Sequence, residues 1–128
     1  MGNSGWHVAY HGTGQGSVGD ILLSTLRQGP RALQGPGIYI TPSIVYASLY
    51  ATSLTLRDGS RAKAVLQCRV RPSAISARRP ATQGVPSNGG RIDKNFDNNQ
   101  LNWLVRPSGS SGLASPDQLV CYGILVKK

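Results

Sequence analysis

Residues 62–71 alternate without a break. Ala64, Leu66, Cys68 and Val70 fall on one side, and Val65, Gln67, Arg69 and Arg71 on the other. Side chains along a β-strand point to opposite faces in turn, so this period of two predicts a strand with one apolar, buried face. Any fold for the chain has to be built round it. Residues 6–10 alternate over a shorter run and deliver His11 at their end. Residues 37–40, 101–105 and 118–127 read as further strands.

Two helices are expected among them. Ser17 precedes Val18, Ile21, Leu22 and Leu26, apolar residues spaced by three and four, with Asp20 in the first turn and Gly29-Pro30 as the stop. Thr41-Pro42 pairs a hydroxyl cap with proline at the first helical position, predicting a helix through Ala51 with Tyr46 and Tyr50 on one face. Residues 72–100 hold Pro80, Pro86 and the Asn88-Gly89-Gly90 turn signal and are the least regular stretch. A connection of that length is expected to be functional or partly disordered. Residues 108–115 are rich in Gly and Ser and read as a mobile link. Strand, helix, strand, helix and then strands alone give an α+β domain.

At 128 residues the chain has the size of one domain, residues 1–128. Fourteen Lys and Arg against five Asp give a net charge of +9, a field that favours anionic partners such as nucleic acid or phosphorylated ligands. Arg57, Arg61, Lys63, Arg69, Arg71, Arg78 and Arg79 concentrate in the middle. Few aromatics lie among them, so a base-stacking platform is not indicated. Cys68 and Cys121 sit in strand-like apolar contexts without metal-ligand spacing; they are buried thiols or one bridge between neighbouring strands. No run approaches the ~18 apolar residues of a membrane span, and no basic-then-apolar leader opens the chain. Trp6 stands where a myristoylation signal needs Ser or Thr. An intracellular location, cytoplasmic or nuclear, is the expectation.

Two motifs carry chemistry: Tyr10-His11-Gly12-Thr13, and Gly37-Ile38-Tyr39-Ile40-Thr41-Pro42-Ser43 followed by Tyr46-Ala47-Ser48-Leu49-Tyr50-Ala51. In this order and spacing the chain resembles the poly(ADP-ribose) polymerase-like ADP-ribosyltransferases. The resemblance implies two packed, mostly antiparallel sheets with flanking helices round an NAD cleft. It makes His11 a ligand of an NAD ribose, Gly12 a backbone contact to the nicotinamide carboxamide, and Thr13 a further polar contact. Tyr39 would take the second catalytic position beside the nicotinamide ribose, and Tyr50 would stack on the nicotinamide ring. Tyr46 is read as core. The family serine three residues before the stacking tyrosine is Ala47 here, with Ser48 next to it as the candidate contact.

The family's catalytic glutamate opens a strand followed by a closing Tyr-x-x-x-Leu strand. This chain offers Gln100-Leu101-Asn102-Trp103-Leu104-Val105 and then Cys121-Tyr122-Gly123-Ile124-Leu125, which places Asn102 in the glutamate's position. Asp93, Asp97 and Asp117 all read as loop residues. Cleaving the nicotinamide–ribose bond passes through an oxocarbenium-like state, so charge near it matters. Asparagine can accept a bond from the ribose 2′-hydroxyl but is neutral, and charge-assisted bonds are about twice as strong. A deficit of about 1.4–4 kcal/mol slows catalysis roughly ten- to a thousandfold. The resemblance thus implies transfer of single ADP-ribose units to a protein or nucleic-acid acceptor, with NAD as substrate and no metal. Its alternative is a catalytically degenerate domain that binds NAD or ADP-ribose. Gln100, two residues before Asn102, matches the position through which such enzymes select their acceptor. Nucleases named for Gly-Ile-Tyr need a glutamate, and the chain contains none.

Overall fold

The computed structural model describes residues 5–12, 38–51, 53–106, 115 and 117–127. They form β1 (His7–Gly12), β2 (Ile38–Ile40), α1 (Ile44–Ser48), β3 (Ser53–Thr55), β4 (Arg61–Val70), β5 (Ile75–Arg79), β6 (Asn102–Val105) and β7 (Leu119–Lys127), with short 3-10 turns at Pro72–Ala74 and Asn98–Gln100. The expected helix over 17–28, the link over 108–114, Thr13 and Gly37 lie outside the described residues. The described architecture is α+β, with mostly antiparallel strands and little helix.

The alternating segment is β4, ten residues long, and it organises the first sheet. One edge of β4 carries β1, from His7↔Val70 to Gly12↔Val65, and then β3; the other edge carries β7. The second sheet has the order β2-β6-β5, all antiparallel. Ala64, Leu66, Cys68 and Val70 are each 0% exposed, so the face read from the sequence is the buried one. They meet Ala9 and Leu119 from their own sheet, and Ile38, Ile40, Trp103 and Val105 from the other. The core is therefore the seam between two sheets, closed by period-two alternation on both sides.

Thr41 joins the sheets. Its N–H donates to the Tyr10 carbonyl at 2.9 Å, and its own carbonyl accepts from Tyr10 N at 2.7 Å. This pairing corrects the expected helix start. Thr41 is committed to the sheet, so α1 begins later and is capped by Ser43, which is extended at φ −104° and ψ 117°. The helix is correspondingly short, five residues, and ends at Ser48, not Ala51. Ala47 of the helix and Ala51 just beyond it pack on Val65 and Tyr10, on the outer face of the first sheet.

Residues 72–100 also differ from expectation. Part of the stretch is β5, paired with β6. Much of the rest is held by hydrogen bonds: Ala81 N to the Asn98 carbonyl at 2.8 Å, Ile92 N to Asn98 Oδ1 at 2.9 Å, and Asn98 Nδ2 to the Gly90 carbonyl at 3.0 Å. Asp93 is buried and accepts from Ser43 Oγ at 2.7 Å, while Ser43 Oγ accepts from Tyr46 N at 3.0 Å. One hydroxyl thus caps α1 and anchors the long connection. Ser43→Ala removes the cap and leaves Asp93 Oδ2 without its hydroxyl donor, while Oδ1 keeps its bond from Asn95 N, so a loss of about 1–3 kcal/mol is expected in urea denaturation. A loss under about 0.5 kcal/mol would show that neither bond contributes.

Candidate functional site

Alternation decides which side chains can meet. On β2, Ile38 and Ile40 enter the core, so Tyr39 faces the other way. Tyr39 pairs with Leu104 on β6, and Asn102 lies two residues before Leu104, so Tyr39 and Asn102 share the sheet face turned away from the core. His11 sits near the end of β1, beside the junction made by Tyr10 and Thr41. From there its Nδ1 lies 2.8 Å from the Tyr39 carbonyl oxygen.

A carbonyl can only accept, so Nδ1 carries the proton and Nε2 of the neutral ring is left as an acceptor. Burial pushes the His11 pKa below its ordinary value, and the Tyr39 carbonyl opposes that effect only in part. The neutral ring is the favoured form. The unfolded chain takes up this proton at about pH 6.5, above the folded value, so the contribution is complete above about pH 6.5 and is lost as pH falls through the folded pKa. The stability difference between the wild type and His11→Gln, read from urea midpoints, is expected to shrink over that window. A difference independent of pH between 8 and 5 would contradict a neutral, half-buried His11.

Gly12 follows His11 and touches α1. A Cβ placed there would overlap the Ala47 carbonyl oxygen and lie 2.8 Å from Tyr50 Cβ and 3.1 Å from Ala51 N. Only glycine lets β1 approach the end of the helix this closely. Tyr50 is 40% exposed and extends from that contact. Its hydroxyl lies 2.6 Å from the Tyr46 hydroxyl and is hydrogen-bonded to Thr82 Oγ1. Tyr46 is fully buried, as its assignment to the core requires, and its hydroxyl accepts from Thr82 N at 2.9 Å. The two rings meet edge to face at 5.2 Å. Burial, partly offset by the Thr82 bond, pushes the Tyr50 phenol up to about 12, with Tyr46 adding to the rise and a bond from Asn102 opposing it. Tyr50 is therefore a neutral hydroxyl at physiological pH.

Asn102 is buried, and its Nδ2 donates to the Pro80 carbonyl at 3.1 Å. That acceptor fixes the amide orientation and makes Oδ1 the acceptor end of the side chain. His11 thus bonds to Tyr39, Gly12 abuts the segment that bears Tyr50, and Tyr50 and Asn102 are held by Thr82 and Pro80 of one connection.

Two expected contacts fall outside this group. Ser48 donates its hydroxyl to the Val45 carbonyl at 2.7 Å. It lines a separate groove of about 490 Å³, with Ile44, Arg61, Lys63, Leu125 and Lys127 among its walls. Its position beside Ala47 in sequence turns it to another side of the helix. Gln100 ends a 3-10 turn and is exposed, so the alternation that would place it on one strand face with Asn102 does not apply. Thr82, Pro80 and Asp93 stand in none of the sequence motifs that carry chemistry. Each acts from an irregular connection whose partners are far along the chain. Among the described residues there is no cluster of three or more His, Cys, Asp or Glu that could hold a metal, and no helix long and apolar enough to cross a membrane. No family model matches this chain, and neither does any curated protein or solved structure.

Proposed function

We propose that the chain is a single ADP-ribosyltransferase-like domain that cleaves NAD at the nicotinamide–ribose bond and transfers one ADP-ribose unit to a protein or nucleic-acid acceptor. The observation that carries this reading is the hydrogen bond from His11 to the Tyr39 carbonyl, with Gly12 against the segment of Tyr50, and Tyr39 and Asn102 on one face of the second sheet. Residues distant in sequence, each singled out for a nicotinamide pocket, lie together. Two antiparallel sheets joined beside His11 are compatible with the fold this function needs.

In this reading Nε2 of neutral His11 accepts from a ribose hydroxyl, the Gly12 backbone holds the carboxamide, and the Tyr50 ring covers the nicotinamide. Asn102 Oδ1 accepts from the ribose 2′-hydroxyl. The C–N bond breaks with its electron pair on nicotinamide, and an acceptor nucleophile bonds to the ribose carbon and releases its proton to water. The groups supply orientation and dipoles but no carboxylate, so turnover is slow and chains do not elongate. The same neutrality of Asn102 favours a second reading, a domain that holds NAD or ADP-ribose without turnover.

Incubation with labelled NAD and a panel of protein, RNA and DNA acceptors separates the two. Nicotinamide release with label on an acceptor, abolished in His11→Ala, is expected of the transferase. NAD binding without release establishes the second reading, and absence of both would refute the pocket.

A further inference from the structure

Cys68 and Cys121 are directly opposed on β4 and β7, with their sulfurs 3.2 Å apart and both thiols free. The ladder register shifts between Gln67 and Cys68, so a β-bulge lies at this pair. Closing to a disulfide of about 2.05 Å needs only about 1 Å of movement. The partners are not equivalent. Cys68 is fully buried in the core, whereas Cys121 is partly buried on β7, whose only strand partner among the described residues is β4. Next to Cys121, Tyr122 is exposed, with the Arg69 guanidinium 5.5 Å from its ring centroid. Cys121 is therefore the more accessible of the two thiols.

We propose that this pair is a reversible dithiol–disulfide site, oxidised by a small disulfide with Cys121 as the attacking sulfur. The hydrogen bond from Cys68 holds the Cys121 thiol down, while that bond, with burial, pushes Cys68 up. Cys121 thiolate attacks one sulfur of the small disulfide and expels the other as a thiolate, leaving a mixed disulfide on Cys121. Cys68 loses its proton and attacks Cys121 Sγ, expelling the second small thiolate. Two protein S–H bonds become one S–S bond, the small disulfide is reduced to two thiols, and the two protons go to them. Cys68 pairs with Ala9, two residues before His11, so the bridge would tie the sheet together beside the site strand.

Oxidised glutathione is the probe. The wild type is expected to lose the mass of two hydrogens, to resist alkylation by iodoacetamide afterwards, and to recover both thiols in dithiothreitol. Cys68→Ser, which keeps Cys121, should gain one glutathionyl group and retain it. Cys121→Ser, which keeps Cys68, should react at least tenfold more slowly. A wild type that still alkylates at both cysteines, that bridges between molecules, or whose Cys121→Ser form reacts as fast as Cys68→Ser overturns the proposal. The wild-type mass measurement stands even if a variant misfolds, and none of these readouts depends on NAD.

Discussion

Gly12→Ala is expected to lose about 1–3 kcal/mol of stability. Strand propensity alone predicts the opposite, a gain of about 0.5–1 kcal/mol when glycine in a strand becomes alanine. Geometry decides the sign. The added Cβ would meet a carbonyl oxygen, a Cβ and a backbone nitrogen at the end of α1, and none of these can swing aside like the tip of a long side chain. The helix has to move away from β1, carrying Tyr50 with it. Urea midpoints for the two proteins measure the change. A stabilised Gly12→Ala would mean that β1 and α1 do not meet as described.

Asn102→Glu carries the largest expected effect on activity. If the chain cleaves NAD as proposed, a carboxylate there adds charge beside the developing cation, and nicotinamide release should rise roughly ten- to a thousandfold. The structure adds a cost. Glutamate cannot donate to the Pro80 carbonyl as Asn102 does, and the site is buried. Stability should fall by about 1–3 kcal/mol through the lost bond. Faster turnover with a lower denaturation midpoint is therefore the expected pair of results. A more stable protein with unchanged turnover would remove Asn102 from the site.

The sequence made β4 and its buried face legible because ten residues of alternation leave little choice. It also disclosed β1, β2, β6 and β7, whose apolar runs meet the core. β3 is only three residues long, and β5 reads Ile-Ser-Ala-Arg-Arg with a register shift, so both owe their pairing to neighbours and not to their own pattern. The start of α1 could not be read locally. Thr41 and Ser43 are equally good caps, and the choice between them is made by Tyr10, far back in the chain.

The candidate site residues stand in motifs, and their supports do not. His11, Gly12, Tyr39, Tyr50 and Asn102 each belong to a motif. Ser48 was misplaced because a helix turns about 100° per residue, so adjacent positions face different neighbours. Thr82 and Pro80 have no motif; only folding brings the connection before β6 onto the tyrosines and Asn102.

Calorimetric titration of NAD into the wild type and His11→Ala at pH 7.5 tests the central claim most directly. One saturable site in the wild type, weakened at least tenfold when the imidazole is removed, is the result the pocket requires. No heat of binding to the wild type, or equal affinity in the two proteins, would contradict it.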